Sequence, residues 1–135
     1  MTPIPPAGTG HVDRLVLAAG LISGLVAVVL GALGAHGPLA PEGAQAQRQL
    51  DIATLFHLDH SLALMILAFW AGGTGWRRAV AASWTLGLLL FAGSLYALTL
   101  FGSPWPGAVT PVGGLLLMLG WLGWLVALLR PAPRG

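Results

Sequence analysis

The chain contains no cysteine and almost no charge. Zero Cys among 135 residues excludes a disulfide framework, a thiolate nucleophile and a thiolate metal site. Only 7% of residues are charged, against about 25% in an ordinary globular domain, too few to cover a water-facing surface. The same deficit excludes disorder, which needs a polar and charged composition. Lysine is missing too: the six basic residues are Arg14, Arg48, Arg77, Arg78, Arg130 and Arg134. They are scattered and form no stripe, so a pI near 10.6 does not indicate a nucleic-acid partner. What remains is apolar, with 56% hydrophobic residues and a mean hydropathy of +0.84. An all-α integral membrane protein is the class left.

Four apolar runs, at about residues 15–33, 52–71, 79–101 and 112–129, each approach the ~20 residues of a spanning helix. They are apolar on all sides, unlike the alternating strands of a barrel. The pattern predicts a four-span bundle over 15–130, with tails at 1–14 and 131–135. The first run reads as a span rather than a cleaved signal, because residues 1–10 carry no charge and Asp13 sits beside Arg14. With four spans, Arg14, Arg77, Arg78, Arg130 and Arg134 share one side and Arg48 has the other. The positive-inside rule then predicts a bacterial inner-membrane protein with both termini cytoplasmic.

Local signals mark the boundaries. Thr110-Pro111 reads as an N-cap and first helical position, and Pro104 and Pro106 break the chain before it. Ala40-Pro41-Glu42 is a weaker start; a helix from Pro41 to Gly72 would outrun the bilayer core. Trp70, Trp76, Trp105, Trp121 and Trp124 fall mostly near span ends, as interfacial anchors do. Gly20, Gly24, Ala27 and Gly31 share one face of the first helix, and Gly113, Gly120 and Gly123 repeat the device in the fourth. Such faces let helices approach closely; packing within the bundle is preferred here to a dedicated dimer face.

Ionisable groups inside a span are costly and mark function by default. Phe56-His57-Leu58-Asp59-His60 is therefore the most informative segment. At 100° per residue, His57 and His60 lie about 60° apart on one face, whereas Asp59 points well away from His57 and needs a partner from elsewhere. By topology, His57 and His60 fall in the outer half of the membrane with Ser94, Tyr96 and Thr99, near His36 and Thr110 at the outer helix ends. These residues form a candidate polar cluster facing outward. It admits a packing network, a proton or solute path, or a metal or haem site using His57, His60 and His36. No phosphate-binding loop or Ser-His-Asp arrangement can be argued from spacing, and nothing calls for a cofactor. His11, in a Pro/Gly-rich tail, reads as solvated.

Gly31-Ala-Leu-Gly-Ala-His-Gly37, His60-Ser-Leu-Ala-Leu64, Phe91-Ala-Gly-Ser-Leu-Tyr96, Thr110-Pro-Val-Gly-Gly114 and Gly120-Trp121 together resemble the YgdD-like family, small four-helix inner-membrane proteins of unknown function. The resemblance implies the same four-span topology and picks out His36, His60, Ser94, Tyr96, Thr110, Gly113 and Gly114 as motif positions. It implies no reaction. Where relatives read Tyr-Gln-x-Tyr-His, this chain has Phe56-His57-Leu58-Asp59-His60, so His57 and Asp59 are its own. The expected role is a non-enzymatic accessory, scaffold or assembly component that contacts lipid and other membrane subunits. A small proton or solute transporter and a histidine-ligated metal or haem protein are the alternatives.

Overall fold

The computed structural model describes residues 12–37, 40–102 and 108–130. His11, Pro104, Trp105, Pro106 and Arg134 lie outside the described residues. Four helices follow in order: α1 Arg14–His36, α2 Ala44–Phe69, α3 Thr74–Phe101 and α4 Val109–Leu129. All four are long and apolar enough to cross a membrane. With no water in a bilayer core, only a helix satisfies every backbone group within its own segment, which is why these apolar runs fold this way.

The helix ends use several devices. Asp13 caps α1 by accepting from the backbone N–H of Leu15 (3.2 Å) and Val16 (3.4 Å). Gly43, at φ +91°, turns the chain into α2 in a conformation that side chains rarely adopt. That bend delays the helix to Ala44, past the Pro41-Glu42 signal. The polar turn Gln45–Asp51 is helical nonetheless, with Gln47 Nε2 donating to Asp51 Oδ1 at 3.0 Å. Thr110 does not cap α4: the helix begins at Val109 after Ala108. The Thr110 hydroxyl instead lies 2.6 Å from Ser94 Oγ on α3. Pro111 still falls in the first turn, where its missing N–H is tolerated.

Packing is sequential. Among the described residues α1 lies chiefly against α2, α4 lies against α3, α2 meets α3, and α1 touches α3 lightly. The backbones of α2 and α4 do not meet, and aromatic rings fill the space between them. Trp84 is fully buried and its ring lies 4.8 Å from Trp121 and 5.6 Å from Trp124; Trp70 meets Trp124 at 6.3 Å. Trp121 and Trp124 therefore serve as packing pieces of this cluster, where the sequence had them as interfacial anchors. Trp76 does tie an end, donating to the Gly123 carbonyl (2.7 Å) beneath the Arg130 guanidinium, which sits 4.2 Å from its ring centroid.

Glycines set the close approaches. Gly20, Gly24 and Gly31 face Met65, Ser61 and Thr54 of α2. Gly34, one turn further along, faces Leu50 and extends the face beyond the run read from sequence. On α4, Gly113 lies against the backbone of Gly87 and Phe91, and Gly120 against the Trp84 ring. A Cβ added at Gly114 would make only ordinary contact with the Phe91 ring, at 3.7 Å. The core has two parts, one around Leu64, Leu67, Trp84 and Leu117, the other around Leu50, Ala53, Ala92 and Tyr96.

Candidate functional site

Thr54, His57 and Ser61 recur at helical spacing on α2, so they share a face. That face meets Ser23 of α1 and Tyr96 of α3. His57 Nε2 lies 3.1 Å from Ser23 Oγ and Nδ1 lies 3.3 Å from the Tyr96 hydroxyl. Ser61 Oγ lies 2.8 Å from Ser23 Oγ and 2.6 Å from the His57 carbonyl, and the Tyr96 hydroxyl lies 3.4 Å from Thr54 Oγ1.

One hydroxyl proton on Ser61 cannot serve both of its acceptors, which leaves two self-consistent proton orders. In one, Ser61 donates to the His57 carbonyl, Ser23 to Ser61, His57 Nε2–H to Ser23, and Tyr96 to His57 Nδ1. In the other, Ser61 donates to Ser23, Ser23 to Nε2, Nδ1–H to Tyr96, and Tyr96 to Thr54. The tautomer of His57 switches between them; the first order has Thr54 donate to Tyr96, and the second leaves the Ser61–His57 carbonyl contact without a proton. Beside this chain, between α1 and α3, lies a recess of about 410 Å³. Its polar lining residues are Ser23, His57, Thr85 and Tyr96, among apolar ones such as Ile22, Val26 and Leu89.

His60 points elsewhere. Its Nδ1 lies 2.9 Å from the Phe56 carbonyl, and Trp121 Nε1 donates to its Nε2 at 3.1 Å. A carbonyl only accepts and an indole only donates, so His60 is neutral with its proton on Nδ1. Both nitrogens are occupied, and the ring packs among Phe56, Trp84 and Trp121 at about 6.0 Å each. Neither lone pair nor N–H is left for a metal.

The outward cluster expected from sequence is thus divided. His57 and Tyr96 join the α1–α2–α3 network, His60 joins the aromatic seam to α4, and Ser94 with Thr110 forms a third pair. Ser94 also donates to the Phe91 carbonyl (2.8 Å), and Thr99 donates to that of Leu95 (2.8 Å). His36 is exposed in the last turn of α1. Asp59 is exposed at the middle of α2. The 60° between His57 and His60 was legible; that this angle straddles two neighbouring helices was not. Among the described residues no three His, Cys, Asp or Glu come together to hold a metal ion.

A second polar site stands where the N-terminus of α1 meets the α2–α3 turn. Asp13, only 6% exposed, has its Oδ2 3.1 Å from Arg78 Nε and 3.5 Å from Arg77 Nε. Arg77, also buried, donates to the Trp70 carbonyl. Burial raises the Asp13 pKa, but the Arg78 hydrogen bond, the Val16 amide and the charges of Arg78 and Arg77 outweigh it and hold the carboxyl below its ordinary value. Sequence reasoning placed these residues on one side of the membrane but did not pair them; four-span parity was the available signal.

Four apolar helices whose buried polar side chains bond mainly to one another define a small polytopic α-helical membrane protein. Residues 30–114 match the family described as Protein of unknown function (DUF423). The chain is 36% identical to the UPF0382 membrane protein YwdK of Bacillus subtilis over 117 residues, covering 82% of this chain and 93% of the relative. A UPF0382 membrane protein of Staphylococcus epidermidis is likewise 36% identical over 120 residues, covering 82% and 92%. One of Haemophilus influenzae is 36% identical over 102 residues, covering 75% and 82%. The chain belongs to this DUF423/UPF0382 family of membrane proteins. No solved structure matches it.

Proposed function

We propose that the protein is a non-enzymatic accessory or assembly component of the bacterial inner membrane that works beside another membrane subunit, with both termini cytoplasmic. The observation carrying this reading is the direction of its polar groups. His57, His60, Ser61, Tyr96 and Ser94 spend their hydrogen bonds within the bundle, the way polar side chains fasten membrane helices. Asp59 alone among the ionisable groups at mid-helix faces outward. The orientation rests on Arg14, Arg77, Arg78 and Arg130 lying at one end of the bundle and Arg48 at the other. The likeness to YgdD-like proteins belongs with this reading. Extraction in mild detergent followed by mass spectrometry tests it: a membrane protein co-purifies in fixed proportion, and a chain that always runs alone overturns the proposal.

A second reading, passage or binding of a small solute, draws on the His57 recess and the reversible proton order along Ser61, Ser23, His57, Tyr96 and Thr54. Proton flux in liposomes tests it. Flux that His57→Ala leaves unchanged would sink it.

A further inference from the structure

Asp59 is the fifteenth residue beyond the start of α2 and the tenth before its end, about 15 Å from the nearer terminus at 1.5 Å per residue. It is exposed. On the same outward face stand Ile52, Leu55, Leu62 and Ile66, each exposed by between 44% and 62%. An apolar face at this depth meets hydrocarbon, so the carboxyl has no water there, and among the described residues no side chain hydrogen-bonds to it. Ionisable groups in a span almost always turn inward and pair; this one does neither.

Among the described residues no cation of the chain stands beside Asp59. Arg14 opens α1, Arg48 lies in the second turn of α2, Arg77 and Arg78 lie at the start of α3, and Arg130 follows α4. All stand at helix ends. His60, next in sequence, has both nitrogens engaged by Phe56 and Trp121, and His57 turns toward Ser23 and Tyr96. A second copy would bring the same set, with no free cation at the depth of Asp59 among the described residues. An unpaired carboxyl in hydrocarbon is neutral; a cation that pairs with it in its charged form comes from a different chain.

We infer that the Asp59 face of α2 docks a spanning helix of another membrane protein, one carrying a lysine or arginine at mid-membrane. The apolar residues around Asp59 supply the contact, and the buried ion pair supplies selectivity, because an apolar helix leaves the carboxyl unpaired and a helix with its own acid repels it. The inference rests on the accessory-subunit reading and names the chemistry of the partner.

The test uses the full chain in liposomes, fluorescently labelled through an appended cysteine, and two leucine/alanine spanning peptides that differ only in a central lysine or leucine. Energy transfer reports association. The lysine peptide binds about tenfold more tightly than the leucine peptide; Asp59→Leu abolishes that preference and Asp59→Glu restores it. Asp59 is exposed, and an unchanged melting temperature of the Leu variant verifies that the fold survives. Equal binding of both peptides overturns the inference, as does a preference that survives Asp59→Leu. Self-association that depends on Asp59, without any lysine preference, overturns it in favour of a second copy. Loss of lysine preference beside an intact co-purifying complex would sink this inference alone. Lysine preference in a chain that never co-purifies with a partner would sink only the accessory reading.

Discussion

Gly113 has no room for even a methyl group. A Cβ there would meet the Phe91 amide, with the Gly87 carbonyl oxygen and the Leu90 carbonyl carbon each 2.8 Å away, all of them backbone that cannot turn aside. Gly113→Ala should therefore destabilise by about 1–3 kcal/mol through overpacking, read as a lower melting temperature in detergent. Gly93 offers the control: nothing lies within 4 Å of its Cβ position, so Gly93→Ala should be neutral or gain up to about 1 kcal/mol of helix propensity. Tyr96→Phe removes the hydroxyl that links His57 to Thr54, and a loss of about 0.6 kcal/mol is expected for one such bond between membrane helices. Both positions could be singled out from sequence, Gly113 by its spacing and Tyr96 by its depth in the outer half of the membrane. Their partners could not: the backbone opposite Gly113 depends on how α3 and α4 rotate about their axes, and an unbroken apolar run does not encode that rotation.

At the level of elements, the Asp13 cap joins three helices. It closes the first turn of α1, its own N–H donates to the Ala68 carbonyl (3.0 Å), and its carboxylate meets Arg77 and Arg78 of α3. The folded carboxyl has a lowered pKa, so its stabilisation is present above the unfolded value of about 3.9 and is lost as pH falls toward the folded one. The gap in melting temperature between wild type and Asp13→Asn should hold from neutrality to about pH 5 and narrow below it. A gap independent of pH would count against the ionised cap. Here the sequence was legible only in part. Asp13 stands beside Arg14 in the sequence, while its partners sit 64 and 65 positions away, a separation that local pattern does not bridge. The same limit affected the tryptophans. Their places near span ends fitted interfacial anchoring equally well, until the gap between α2 and α4 gave Trp121 and Trp124 a packing role.

For the whole molecule, the apolar runs were enough to specify four helices, because length and hydropathy are the properties a bilayer selects. Orientation can be read out cleanly because the chain has no cysteine. A single cysteine replacing Ala40 should react with a membrane-impermeant maleimide from outside intact cells, and one replacing Thr74 should react only after lysis. The opposite pattern would invert the proposed topology.

The order of packing has a further consequence. Since α1 rests chiefly on α2 and α4 on α3, the chain is built as two helical hairpins in tandem. Each pairs neighbours in sequence, so each can assemble as soon as its second helix has entered the bilayer. The gene cut within Ala71–Gly73, and the halves expressed together, should then yield two fragments that find each other through the seam where His57 meets Tyr96 and His60 meets Trp121.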